Sequence, residues 1–344
     1  MVKTRKRLLR RTLAVLFVSI CALTGVRGAL AQDKVKFALD WIPYGKHAMF
    51  YVSKDKGFWK DAGLDVTVTR GFGSGDTVKR VAAGTEDFGF AAVASMITGK
   101  SRGADLKMVG MVHDRALDSV ATLKGNKITK PADLVGKTIG SPKGNAVRVV
   151  FPAFADINKF DRDKVTFINM TVPAMAPSLL AGRVDAILIF YTERPTVDAA
   201  AKKVGKEALY LQYADFGMNT YGNGIIVSEK MIKENPELVK RFVEATYKGI
   251  AWSVENPKEA VDIFIKHNPA ISPELARKHF DIAVKHLLTP TAKKEGIGHM
   301  TRERMVFTND LITEHMNLPK KTPVADVYTN EYLPKLFPKQ PASK

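Results

Sequence analysis

Phe37-Ala38-Leu39-Asp40-Trp41-Ile42-Pro43-Tyr44-Gly45-Lys46-His47-Ala48-Met49-Phe50-Tyr51 reads in three steps: a strand, a loop and the opening of a helix. Val35, Phe37 and Leu39 alternate along one face of a strand, and the alternation stops at Asp40. Pro43 and Gly45 then break the chain, and the next breaker after Ala48 is Gly57. In an α/β sheet, the loop beyond the carboxyl end of a strand is where small molecules are held. This loop carries Asp40, Trp41, Tyr44 and His47. Trp and Tyr offer faces to a flat ring, and a carboxylate accepts hydrogen bonds from an amino group. The alternative is that Trp41 and Tyr44 only cap the end of the sheet.

The same device recurs along the chain. Leu64, Val66 and Val68 form a second strand, followed by Gly71-Phe72-Gly73-Ser74-Gly75-Asp76-Thr77 and a helix through Val78 and Val81. Glycine-rich backbone at a helix start offers free N–H groups to a ligand, here at Ser74 and Gly75. The spacing is not that of a nucleotide fingerprint, and Ser74 or Asp76 serving as an ordinary helix cap is the competing reading. Leu106, Met108, Gly110 and Val112 lead to His113-Asp114-Arg115. Asp114 is a site candidate. His113 has no second ligand at helical spacing, so no metal site is expected. Ser119 to Leu123 is a candidate hinge strand.

Farther on, Gly136-Lys137-Thr138-Ile139-Gly140 enters a strand, and Ser141-Pro142-Lys143-Gly144-Asn145 precedes a helix over 147–157 that Pro152 must start or kink. Ser141, Gly144 and Asn145 are its candidate donors. Gly182-Arg183-Val184-Asp185-Ala186 opens a strand ending in Tyr191-Thr192-Glu193. Tyr191 and Glu193 are candidate ligand groups, with Glu193 as a cap for the helix begun at Pro195 as the alternative. Tyr221 and Asn223 precede the return strand Ile225-Ile226-Val227. Asn235-Pro236, Asn256-Pro257 and Ser272-Pro273 each place an N-cap residue before proline, which predicts three packing helices. The end of the chain, from Pro334, is expected to be loosely held.

Residues 1–11 hold six basic residues and no acid, 12–26 are mostly apolar, and Ala29-Leu30-Ala31 follows. That pattern reads as a secretory signal peptide over 1–31. Cys21, the only cysteine, lies within it, so the mature chain would contain no disulfide and no thiol nucleophile. Of 53 Lys and Arg, seven lie in this leader, so the mature balance is 46 against 35 acids, or +11. No block of like charge accompanies it, which argues against a nucleic-acid face. The remaining length suits two lobes.

Collectively these motifs resemble those of ABC-transporter substrate-binding proteins related to thiamine-pyrimidine synthases, a group that includes sulfonate, nitrate and taurine binders. The resemblance runs over about residues 34–265. It is carried by Leu39-Asp40-Trp41-Ile42-Pro43 with His47, Lys56-Gly57-Phe58-Trp59, Gly63-Leu64-Asp65-Val66, Gly84 with Asp87-Phe88-Gly89, Leu134 with Gly136 to Gly140, and Gly182 to Ala186. It implies an α/β, two-lobe type II periplasmic-binding-protein fold with a cleft between lobes: lobe one over 33–120 plus 224–344, lobe two over 121–223. It further implies a monomeric periplasmic binder that delivers a small-molecule ligand to an inner-membrane ABC permease, with no cofactor. The related synthases use a Lys and a His after the Asp-x-Gly turn and a cysteine-rich stretch before the return strand. The matching positions here are Ala91, Ser95 and Gly217 to Asn223. A Schiff base needs a lysine amine, so the binder is expected rather than the enzyme. Trp41 and Tyr191 would flank a heterocycle, and Asp40 and Glu193 would accept from its amino groups. An anionic ligand would instead call for Arg115 or Arg148 in the cleft. A sensor or partner-binding module is the remaining class. N-terminal sequencing of the exported protein should begin at Gln32; a mature protein that retains Met1 overturns the leader assignment.

Overall fold

The computed structural model describes residues 32–339. The expected leader, 1–31, lies outside the described residues. Two five-stranded sheets organise the chain. The first has the order β2-β1-β3-β10-β4, built from β1 (Asp33–Ala38), β2 (Leu64–Thr69), β3 (Phe88–Ala92), β4 (Leu106–Met111) and β10 (Asn223–Ser228). The second has the order β7-β6-β8-β5-β9, from β5 (Asp118–Leu123), β6 (Thr138–Gly140), β7 (Thr166–Ile168), β8 (Ala186–Phe190) and β9 (Ala208–Gln212). β1 and β3 run parallel, with Phe37 opposite Phe88, whereas β10 is antiparallel to both β3 and β4. The second sheet repeats this: β6 is parallel to β7 and β8, and β5 runs antiparallel between β8 and β9. In each sheet, then, the reversed strand is the first one laid down after the chain crosses from the other sheet. The result is the two-lobed α/β plan implied by the resemblance.

Helices form where the pattern demands, with instructive departures. Ala48–Asp55 follows the first loop, but the chain does not simply turn at Gly57: the glycine takes φ +81° and a single helical turn, Phe58–Asp61, follows. The helix expected over 147–157 is two short ones, Ala146–Val149 and Phe151–Ile157, because Pro152 fits only in the first turn of a new helix. The three proline-led helices are Pro236–Glu255, Pro257–His267 and Pro273–Leu287. Only Ser272 caps with its side chain, by accepting from the Leu275 N–H; Asn235 and Asn256 do not. Nor is the tail simply loose. The Leu336 carbonyl accepts from the Ile297 N–H, and Leu333 and Leu336 pack on the first lobe's core.

That core is aromatic. Phe242, from the longest helix, stacks on Phe88 at 3.9 Å and on Trp59 at 5.9 Å, and meets the edge of Phe37 at 5.5 Å. The Trp59 indole is buried because its Nε1–H finds the Thr246 hydroxyl at 2.9 Å. A second apolar cluster runs through both lobes, joining Val93, Met108 and Ile312 to Ile139, Val147 and Phe154. Among the described residues, no helix is long and apolar enough to cross a membrane. Phe242→Ala should cost about 3–5 kcal/mol, because it removes the ring shared by two strands and two helices. Urea unfolding measures this; a loss under 1 kcal/mol would show that the stack is not the core's keystone.

Candidate functional site

Loops beyond the carboxyl ends of β1 and β2 reach the ends of β8 and β6: Lys46 lies over the Phe190 ring and Gly73 meets Gly144. The facing loops touch. A Cβ placed on Gly73 would lie 2.0 Å from the Gly144 carbonyl oxygen, and Gly73 has φ +125°, so only glycine allows this approach. Elsewhere the Thr196 hydroxyl of the second lobe meets His279 Nε2 of the first at 2.9 Å. Beside the loop contact lies a cavity of about 820 Å³. Its wall includes Trp41 to Tyr44, Arg70 to Phe72, Pro142, Asn169 to Pro173 and the helix junction 268–271.

Asp40 is the best-connected residue of the first loop, and it does not face this cavity. It is fully buried. Its Oδ2 accepts from Lys46 Nζ at 2.9 Å and from Asn223 Nδ2 at 2.8 Å, and its Oδ1 accepts from His47 Nε2 at 2.7 Å. The Tyr44 N–H donates to His47 Nδ1 at 3.0 Å, which fixes the proton of the neutral ring on Nε2. Burial alone would raise the Asp40 pKa; the Lys46 ammonium and the His47 hydrogen bond overcome it and hold the carboxyl well below its usual range. Burial pulls His47 the other way, below its ordinary value. Asp40, expected to accept from a ligand amino group, and His47, a candidate of the same loop, thus have their partners within the protein. Both shape the loop through Lys46, whose Nζ sits 4.5 Å from the Phe190 ring centroid in the other lobe.

Other expected residues divide likewise. Trp41 is buried on the cavity wall, and its Nε1–H has no partner. Tyr44 lines the same wall. Tyr191 does not: its hydroxyl accepts from Arg194 Nη1 at 2.6 Å and its ring meets the edge of Tyr210. Glu193 is buried, makes no cap to the helix Arg194–Lys203, and leaves Oε1 unpartnered. Burial pushes its carboxyl up to about 8, with Lys46 pulling it down and Asp40 pushing it up; burial, and after it the Glu193 carboxylate, raises the Tyr44 hydroxyl.

The donors named on the two glycine loops are mostly spent at home. Ser74 Oγ accepts from the Ala92 N–H rather than capping its helix, whose N-cap is Gly73. Asn145 caps Val147 through Oδ1 and gives Nδ2 to the Leu188 carbonyl. Ser141 donates to the Pro142 carbonyl. Gly75 and Gly144 line a separate cavity together with Lys143. Tyr221 takes the Thr301 N–H on its hydroxyl under Arg304, and Asp114 lies 3.5 Å from that same arginine; both brace the crossing between lobes rather than the cavity. Arg148 gives Nη1 to the Ser141 carbonyl, and Arg115 is paired with Asp215. Among the described residues, no group of three or more His, Cys, Asp or Glu could hold a metal ion.

Sequence reasoning passed over Lys46, Phe72, Asn169 to Pro173 and 268–271. The rule that loops after strands bind ligands would have found Asn169 to Pro173 behind β7. Nothing local marks 268–271, because a turn between two packing helices reaches the cleft only through the tertiary fold.

The Glu193 carboxyl gives a signed pH dependence. Its pKa rises from 4.5 to about 8 on folding, so between those values the unfolded chain holds fewer protons and stability falls as pH rises. Glu193→Gln removes that slope. The stability of the variant relative to the natural protein should grow by up to about 1.4 kcal/mol per pH unit from 5 to 8, read from melting curves. Parallel curves would mean that Glu193 is solvated.

The chain is similar to known proteins at two levels. It is 27% identical to the formylaminopyrimidine-binding protein of Halalkalibacterium halodurans, over 74% of this chain and 76% of that protein. It is 26% identical to the riboflavin-binding protein RibY of Chloroflexus aurantiacus, over 88% and 86%. In structure it matches the alkanesulfonate-binding protein SsuA of Xanthomonas axonopodis pv. citri with a TM-score of 0.66 at 15% identity, covering 87% of this chain and 98% of that one, so the fold is that of the periplasmic binding proteins. The family model described as NMT1/THI5 like matches residues 45–260, and the chain belongs to that family.

Proposed function

We propose that this protein is the periplasmic solute-binding component of an ABC importer, that its ligand is a small amino-bearing heterocycle such as a thiamine-pyrimidine precursor, and that the lobes close around it. One observation carries the reading. Two buried polar atoms at strand ends of opposite lobes, Trp41 Nε1–H and Glu193 Oε1, have no partner in the protein. Buried polar groups are normally paired, so a ligand acceptor would complete the indole on the cavity wall, and an amino donor would complete Glu193, which stands at the end of β8 outside the residues that line that cavity. The formylaminopyrimidine-binding relative supports the ligand class.

Two other readings fit less well. For a sulfonate or nitrate, the two arginines expected in the cleft, Arg115 and Arg148, are engaged within the protein, and the cation that lines the cavity, Arg70, lies over the Phe72 ring. A synthase needs a lysine where Ala91 stands, buried against β10. The lobe boundaries at 120/121 and 223/224 and the monomeric state belong to the same reading: one hinged unit, closing on its ligand and docking on a membrane permease. Only a ligand that prefers the closed state drives closure.

A thermal-shift screen of the exported protein tests this. An aminopyrimidine at about a hundred times its dissociation constant should add about 2.7 kcal/mol of stability. A shift with taurine, alkanesulfonates or nitrate, and none with aminopyrimidines, would overturn the ligand class and leave the importer reading standing.

A further inference from the structure

We infer that the cleft takes an extended ligand of at least two rings, with the cavity wall around Phe72 and Met170 holding the outer ring; this rests on the heterocycle reading above. The cavity beside Trp41 measures about 820 Å³, in the upper part of the roughly 300–1,000 Å³ range of pockets for drug-sized molecules. One six-membered ring held beside Trp41 leaves most of that space to water.

The remaining wall is built for an apolar, flat occupant. The first lobe contributes Phe72 and Ile271, and the second contributes Pro142, Met170 and Val172. No carboxylate lines the cavity, and its one cation, Arg70, holds its guanidinium 4.6 Å from the Phe72 ring centroid. Phe72 is 61% exposed, an unusual setting for a phenyl ring with a cavity at its side. A ring packed on it would recover that area and gain the contact energy of an aromatic pair. Met170 adapts its shape to whatever lies against it. Because Phe72 and Met170 belong to opposite lobes, an outer ring held between them also rewards closure.

Calorimetric titration of the purified protein with three probes tests this: a single-ring aminopyrimidine, thiamine with two linked rings, and riboflavin with a fused three-ring system. Thiamine or riboflavin should bind at least about tenfold more tightly than the single ring. Phe72→Ala should bring the two affinities to within about threefold of each other. Met170→Ala should act in the same direction, and circular dichroism confirms that both variants fold. An aminopyrimidine that binds as tightly as the larger probes, or an advantage that survives both substitutions, overturns the inference and leaves the heterocycle reading intact. Failure of all three probes overturns both.

Discussion

One buried carboxylate holds the cleft together. Asp40 sits at the end of the first strand and gathers Lys46, His47 and Asn223 around its two oxygens. These partners come from the first loop and from the start of the return strand, so a single group ties the chain's outward and homeward passes together. An ion pair this deep is weak evidence of net stability, since its desolvation offsets much of its attraction. Its effect is geometric. With Lys46 held, the ammonium stands against the Phe190 ring of the other lobe, and the loop that carries Trp41 and Tyr44 has one shape.

The contact between the two glycine loops is set by backbone. Gly73 approaches Gly144 so closely that neither loop could carry a larger residue at the contact without moving. Thr196 and His279 make a second contact between the lobes. Such contacts are small, as the proposed closure would require: a closed state must be near enough in energy to an open one for a ligand's differential affinity to decide between them.

The fold was legible because its signals are local. Alternation in Val35–Leu39 and Leu64–Val68, glycines at the turns and proline-led helices all follow from short-range physics. The site was legible by location and less so by role. Trp41, Tyr44 and Glu193 stand where the strand-end rule puts them, but Asp40, Asn145 and Ser74 are consumed by partners distant in sequence, such as Asn223, Leu188 and Ala92. A sequence shows that a residue can donate or accept; it does not show who reaches it first. Phe72 and Met170 escaped notice for the converse reason. Their apolar side chains read as ordinary packing until the fold leaves one exposed and sets both on one cavity wall.

Under the proposed reading, the unpaired atoms are where selectivity would originate. A buried donor or acceptor without a partner costs about 1–3 kcal/mol in the empty protein, and that cost is returned only to a ligand that pairs with it. An isostere lacking the amino group forfeits the return and leaves Glu193 stranded; the same logic lets sites built around hydrogen bonds reject close analogues far better than apolar pockets do. The overall positive charge of the chain is therefore no guide to its cargo. The long-range field comes from exposed lysines and arginines that salt screens within about 10 Å, whereas under the proposed reading the choice among ligands would be made at short range by the groups that line the cavity.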